Sequence, residues 1–233
     1  MRTYVIHVSD AYDRKNHMQK QLKNKGLEIN FITEGDIKEL NASHINEYFI
    51  ENMASLSSAT SCAYKHIMAY KKISEGKDNL ALVLEDDILF YANYFIIDEI
   101  IDELKERKIK NFMLSLEDSN LKYVPRSERV KGVMVYPRKK GRMTGAYLID
   151  KEGARNILEY IKKEKTNLPL DWFHNLCIDN EVINMFWSHP AIAVQGSLDG
   201  SIKTLIDSKK YGILRIWSFR LQRLYKKLLY QLR

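Results

Sequence analysis

Between residues 3 and 8 the chain reads TYVIHV, a β-branched and apolar run of strand type. Asp13 to Lys25 then gives a polar stretch of helical pattern, closed by Gly26. Leu27 to Thr33 predicts a second short strand and Glu34-Gly35-Asp36 a turn, after which the pattern loosens through Ser58. From Ala59 to Ile73 the helical period returns, with Ala63, Ile67, Tyr70 and Ile73 near one face. Leu80 to Leu84 (LALVL) is apolar without alternation, as a central strand covered on both faces requires, and it stops abruptly at Glu85, Asp86 and Asp87. Beyond it come a helix from Phe95 to Arg107, a strand from Asn111 to Leu116, and an irregular basic stretch holding Pro125 and Pro137. A strand at Thr144 to Ile149, a helix at Lys151 to Glu164 and an entry loop at Leu168 to Asp171 before a further helical segment complete the order. Strands alternating with helices predict an α/β layer fold with a mostly parallel sheet.

Composition narrows this to one catalytic-size domain. In 233 residues, 45% hydrophobic and 11% aromatic content suffice for one substantial core. The formal charge of +7 invites a nucleic-acid partner, but its distribution argues against one. After Asp207 there are eight Lys or Arg and no acid, so the preceding residues carry 29 basic against 30 acidic groups. The expected division is therefore a domain over residues 1–205 and a basic tail over 206–233. In the tail, Ile213, Trp217, Leu221, Leu224, Leu228 and Leu232 fall on one helical stripe, with Arg215, Arg220, Arg223, Lys226 and Lys227 on the remaining arc. A basic, Trp-bearing amphipathic helix suits an anionic membrane surface; a helix packed on the domain is the alternative. The N-terminal apolar run is too short for a signal peptide or a membrane span, and Cys62 and Cys177 lack the paired spacing of a zinc site or disulfide frame. A cytoplasmic protein peripherally attached to the inner face of the bacterial cytoplasmic membrane is the expected location.

The chemistry concentrates where the most hydrophobic strand ends. Ligands of open α/β sheets gather at the carboxyl ends of strands, and Glu85 and Asp87 form an acid-x-acid pair there. Hard divalent cations take carboxylate oxygens and keep positions open for phosphates, so a metal at Glu85 and Asp87 would bridge a diphosphate. A solvated acidic turn is the bland alternative.

Context favours the metal. Ser61-Cys62-Ala63-Tyr64-Lys65-His66, followed by Ala81-Leu82-Val83-Leu84-Glu85-Asp86-Asp87-Ile88-Leu89-Phe90, resembles glycosyltransferase family 25, with Lys65 in place of the usual Ser. Tyr4-Val5-Ile6 with Asp13-Arg14 is similar to that family's opening strand and Asp-Arg pair, and Phe31-Ile32-Thr33-Glu34-Gly35 to its second-strand Asp-Gly turn, with Glu34 in place of Asp. Thr144 to Ile149, Gly153-Ala154, Leu168-Pro169-Leu170-Asp171, His189-Pro190, Gln195 and Ser201-Ile202 follow in the family's order. The likeness spans roughly residues 3 to 202.

The resemblance implies a GT-A-like fold, a UDP-sugar donor with galactose foremost, a manganese-like cation and inversion at the anomeric carbon. The acceptor would be lipopolysaccharide, lipooligosaccharide or a related surface glycan. Glu85, Asp87 and His189 are the implied metal ligands, and Arg14, Glu34, His66, Asp86 and Thr144 the implied donor contacts. An inverting displacement also needs a general base away from the metal. Asp171, beside Trp172 and Phe173, suits that role if the rings desolvate it, though an N-cap Asp opening a helix fits its position almost as well. Arg14 reads equally as an exposed helix charge, His66 as a hydrogen-bonded core histidine, and His189 as a polar loop residue. An Asp-nucleophile phosphatase would need Asp-x-Asp-x-Thr or Val after the strand, which Asp86-Asp87-Ile88-Leu89 does not supply. The rival outside catalysis is a basic membrane-surface or nucleic-acid-binding protein whose acidic motif is structural. Oligomeric state stays open.

Overall fold

The computed structural model describes residues 1–118, 123–141, 143–199 (without the side chains of 198 and 199) and 202, together with Trp217, Ser218, Leu221, Gln222, Leu224, Tyr225 and Leu228. In chain order the elements are β1 (Arg2–Ile6), α1 (Tyr12–Lys23), β2 (Ile29–Ile32), α2 (Ala42–Tyr48), α3 (Ser58–Glu75), β3 (Leu80–Glu85), β4 (Ile88–Phe90), α4 (Ile97–Glu106), β5 (Phe112–Ser115), β6 (Val135–Arg138), β7 (Ala146–Asp150), α5 (Lys151–Glu164), α6 (Leu170–Asp179), β8 (Asn184–Ser188), β9 (Ala193–Gln195) and α7 (Gly196–Asp199). Seven strands form one sheet in the order β2-β1-β3-β7-β5-β8-β6, while β4 and β9 pair as a separate ribbon beside it.

Five of the seven strands run in one direction, as the alternating pattern predicts; β7 and the edge strand β6 run against them. The reversal of β7 matters for function. Its amino end, carrying Thr144 and Gly145, arrives at the same sheet edge as the carboxyl ends of β1, β3 and β5. Pro137 sits within β6, which the irregular basic stretch concealed; an edge strand tolerates the missing amide donor.

Two apolar layers sandwich the sheet. On β3, Ala81 and Val83 enter one layer with residues of α2, α3, α5 and α6, whereas Leu82 and Leu84 enter the other with α1 and α4. Burial on both faces is what the unalternating LALVL run demanded, at about 1.5–3 kcal/mol for each large aliphatic side chain. Helix α3 starts where the Ser57 hydroxyl accepts the Thr60 amide proton, and it contributes Ser61, Lys65 and His66 to the interior as well as apolar residues.

The tail boundary at 205/206, and Ile213 and Leu232 of the predicted stripe, lie outside the described residues. Trp217, Leu221, Leu224, Tyr225 and Leu228 are helical and 55–62% exposed, so their apolar side chains lack cover. Among the described residues no helix is long and apolar enough to cross a membrane.

Candidate active site

A cavity of about 320 Å³ opens at the carboxyl ends of β1 and β3, lined on one side by His7, Arg14 and Asp86 and on the other by Asp36, Cys62 and Lys65. Its volume lies at the lower end of ligand pockets, enough for a nucleoside-sized group. The wall depends on Gly35, whose φ of +98° belongs to the glycine-favoured region. A Cβ there would overlap the Tyr64 ring, and the Gly35 carbonyl accepts a hydrogen bond from the Ser61 hydroxyl at 2.6 Å. That turn aims Asp36, not Glu34, into the cavity. Glu34 is exposed, paired with Lys72, and not among the residues lining the cavity.

Lys65, the departure from the family pattern, is 1% exposed and fully satisfied. Its ammonium donates to the His7 carbonyl (2.8 Å), the Thr33 carbonyl (2.9 Å) and Asp36 Oδ1 (2.5 Å), tying the ends of β1 and β2 to α3. Burial raises the Asp36 carboxyl, but hydrogen bonds from Lys65 and Ser9 outweigh it and leave the group below its ordinary value.

The three acids at the end of β3 have three different environments. Asp86 is a brace: Oδ2 meets His7 Nδ1 at 2.8 Å and Oδ1 accepts from Arg14 at 2.5 Å. Arg14 is thus held at the cavity wall by Asp86, neither a loose surface charge nor an isolated phosphate ligand. Glu85 accepts from the Thr144 hydroxyl at 2.8 Å and from the Gln195 amide at 3.3 Å. Asp87 is 4% exposed, and its Oδ1 has no hydrogen-bond partner among the described residues. Burial, then the charge of Glu85, push its carboxyl up to about 6, with a hydrogen bond from Ser197 opposing them. Two neighbouring acids, one with an orphaned buried oxygen, make a donor set that fits a hard divalent cation.

His66 is neither simply a core histidine nor simply a donor ligand. It is wholly buried, with Nδ1 on the Tyr147 hydroxyl at 2.8 Å and Nε2 3.6 Å from Glu85 Oε1. The network continues inward, Tyr147 donating to Tyr70 at 3.0 Å and Tyr70 meeting His174 Nε2 at 2.8 Å. Burial, then the neighbouring His66, lower the His174 pKa to about 3, so that ring is neutral.

Asp171 lies in the first turn of α6, but Pro169, not Asp171, is the N-cap. Burial raises its pKa; hydrogen bonds with the backbone amides of Trp172 and Asp171 oppose this, and the charge of Glu85 adds to the rise. The two flanking rings separate: Trp172 is 64% exposed, whereas Phe173 is fully buried against Tyr160 and belongs to the core. His189, after β8, packs its ring edge against Tyr136 of the far edge strand, and its amide donates to the Met134 carbonyl. Among the described residues the set of three possible ligands whose donor atoms all lie within 4.8 Å is Cys62, His66 and Glu85.

Two residues escaped the sequence reading. Glu117, following β5, is wholly buried and accepts the Gly145 amide proton at 3.0 Å; a Cβ at Gly145 would collide with both Glu117 and Gln195. The signal was present, because Phe112 to Leu116 is an apolar run ending in Glu117-Asp118, as β3 ends in acids. Asp36 is the second; its proximity to Lys65 is purely tertiary.

The profile of glycosyltransferase family 25 (LPS biosynthesis protein) matches residues 1–174. The chain belongs to glycosyltransferase family 25. Its members' general chemistry, glycosyl transfer, is therefore the class in which this site is read. No curated protein matches the chain in sequence. Among solved structures, this family 25 chain is similar to a UDP-glucose pyrophosphorylase complexed with UDP-glucose, at 10% identity and TM-score 0.46 over 97% of this chain and 98% of that one. It is also similar to the apo-form glycosyltransferase GlyE of Streptococcus pneumoniae, at 12% identity and TM-score 0.44 over 100% of this chain and 60% of that one.

Proposed function

We propose that the chain moves a hexosyl group, galactose foremost, from a UDP-sugar onto a hydroxyl of lipopolysaccharide, lipooligosaccharide or a related surface glycan, with inversion at the anomeric carbon. The observation that carries this reading is the meeting, at the end of β3, of a nucleoside-sized cavity with the Glu85–Asp87 pair. A separate carboxylate, Asp171, in the first turn of α6, has a pKa raised by burial. Glu85 and Asp87 are the residues that would hold a divalent cation of manganese type. Bound there, the cation supplies neutralisation of the charge that builds on the leaving diphosphate.

The chain's own groups do the rest. His7, Arg14 and Asp86 form a rigid cavity wall, and the Thr144 hydroxyl fixes the Glu85 carboxylate. Asp171 takes the acceptor hydroxyl's proton as its oxygen bonds to the anomeric carbon and the old carbon–oxygen bond breaks, its electron pair leaving with UDP. A raised pKa makes Asp171 the stronger base. Exposed Trp172 offers an apolar face to the acceptor sugar. Residues 1–205 carry this chemistry. Residues 206–233 attach it to the anionic inner face of the bacterial cytoplasmic membrane, a reading supported by eight cations and no acid after Asp207 and by uncovered Trp217, Leu221, Leu224 and Leu228.

Thermal melts with UDP, manganese and both together test the donor site. A ligand at a hundred times its Kd stabilises by about 2.7 kcal/mol, so UDP should raise the melting temperature only when manganese is present. Equal stabilisation by UDP alone would remove the metal from the mechanism. Donor hydrolysis across a panel of UDP-sugars then reads the sugar preference, with UDP-galactose turned over fastest.

A further inference from the structure

Cys62 and His66 stand one helical turn apart on α3, on the face that meets the end of β3, a spacing that places two ligand atoms side by side. Their Sγ and ring nitrogen, with a Glu85 oxygen, all lie within 4.8 Å of one another. The network behind His66 fixes which nitrogen faces that gap. Tyr147 donates its hydroxyl proton to Tyr70, so it is left to accept from His66 Nδ1–H. His66 Nε2 is the nitrogen left to take a metal; it is wholly buried and has no hydrogen-bond partner among the described residues. It faces a Glu85 oxygen at 3.6 Å, about the separation of two ligands each ~2.1 Å from a tetrahedral ion.

We propose that Cys62, His66 and Glu85 form a binding site for a thiophilic divalent cation of the zinc class, beside the donor cavity and distinct from the oxygen-donor pair Glu85–Asp87. A thiolate and a carboxylate balance a 2+ charge, and the imidazole adds a neutral donor. Sulfur and nitrogen ligation selects zinc over manganese. Cys62 and Glu85 both line the cavity, which gives the ion its entry path. On coordination the Cys62 thiol releases its proton to solvent. Tyr147 is the positioning residue, holding the His66 ring as a hydrogen-bonded outer partner holds a metal-ligating histidine. Because Glu85 serves both cation sites, zinc at one competes with manganese at the other.

The test uses full-length, reduced, metal-free protein titrated with cobalt(II), a spectroscopic stand-in for zinc. One equivalent should give a thiolate-to-cobalt charge-transfer band that zinc abolishes by displacement and manganese does not. Tyr147→Phe should weaken zinc binding about ten- to a hundredfold while keeping the band. Cys62→Ser should lose the band, and Cys177→Ser should keep it. A wild-type protein without the band at saturating cobalt, or a band that survives in Cys62→Ser, overturns the proposal. The wild-type spectrum decides even if a variant fails to fold. Manganese-dependent UDP stabilisation, read separately, distinguishes failure here from failure of the transferase reading.

Discussion

The end of β3 and the C-terminal segment break the burial rule in opposite ways. At the strand end, charge is inside: Asp86, Asp87 and Lys65 are each at most 4% exposed. In the C-terminal segment, apolar surface is outside, on a described set of helical residues of which none is covered. Both arrangements are unfavourable for an isolated domain, since a buried charge wants a counter-charge and an exposed Trp-Leu stripe wants an apolar surface. The two regions differ in how far they meet that demand internally. Lys65 and Asp36, and Arg14, His7 and Asp86, are paired. Among the described residues one oxygen of Asp87 has no partner and the stripe has no cover, and those are the places where the proposed cation and membrane enter.

The comparison breaks most sharply at Asp87. Asp87→Asn should abolish metal-dependent transfer and the manganese-dependent part of UDP stabilisation. It should also make the metal-free protein more stable at pH 7.5. The sign follows from the raised carboxyl: with a folded pKa of about 6 against 3.8, its stabilising protonated form is lost as pH rises through about 6, and Asn never ionises. The gain should be on the order of 1–3 kcal/mol. A metal-free melt showing no gain would mean that Asp87 is already satisfied.

Asp171→Asn should lower kcat by about two to four orders of magnitude, with UDP affinity and melting temperature nearly unchanged. Loss of stability with retained turnover would make Asp171 a first-turn helix residue and nothing more. Truncation after Ser208 addresses the other region. Each Lys or Arg near an anionic surface contributes about 1 kcal/mol, so removing eight should reduce binding to anionic vesicles by about two orders of magnitude or more. Hydrolysis of a soluble donor should persist, and the vesicle binding of the full chain should weaken with salt. Vesicle sedimentation that ignores lipid charge would point instead to a protein partner for the stripe.

The smallest effect sharpens the paired side of the comparison. His174 has a folded pKa of about 3 against 6.5 in the unfolded chain, so its stabilising contribution is present above pH 6.5 and is lost as pH falls toward 3. Stability should drop by about 2 kcal/mol between pH 6.5 and 5 from this group alone. In His174→Gln that portion of the pH slope should vanish, whatever the variant's baseline.

Much of the fold was legible because it is written in local periodicity. LALVL announced a strand buried on both faces, and Glu85-Asp86-Asp87 marked its end as the chemical edge. The short strands β4, β6, β8 and β9 were not legible, since three to five residues carry too little pattern to stand apart from loop. The site divides along the same line. The strand-end acids, and Asp171 at the start of a helix, follow from which residues stand where in the chain. Their division of labour does not: Asp86 became a brace because His7 and Arg14 reach it from more than seventy positions away, which left Asp87 to carry the unpaired oxygen. Likewise Asp36 rather than Glu34 faces the cavity because Gly35 turns the backbone against Tyr64, and His189 is held at the far edge by Tyr136. The sequence by itself determined the layer class, the family and the acidic edge, because these rest on local pattern and ordered motifs. Only the tertiary structure decided which acid is paired and which keeps an unpartnered oxygen, because pairing and desolvation depend on groups that meet across the sheet.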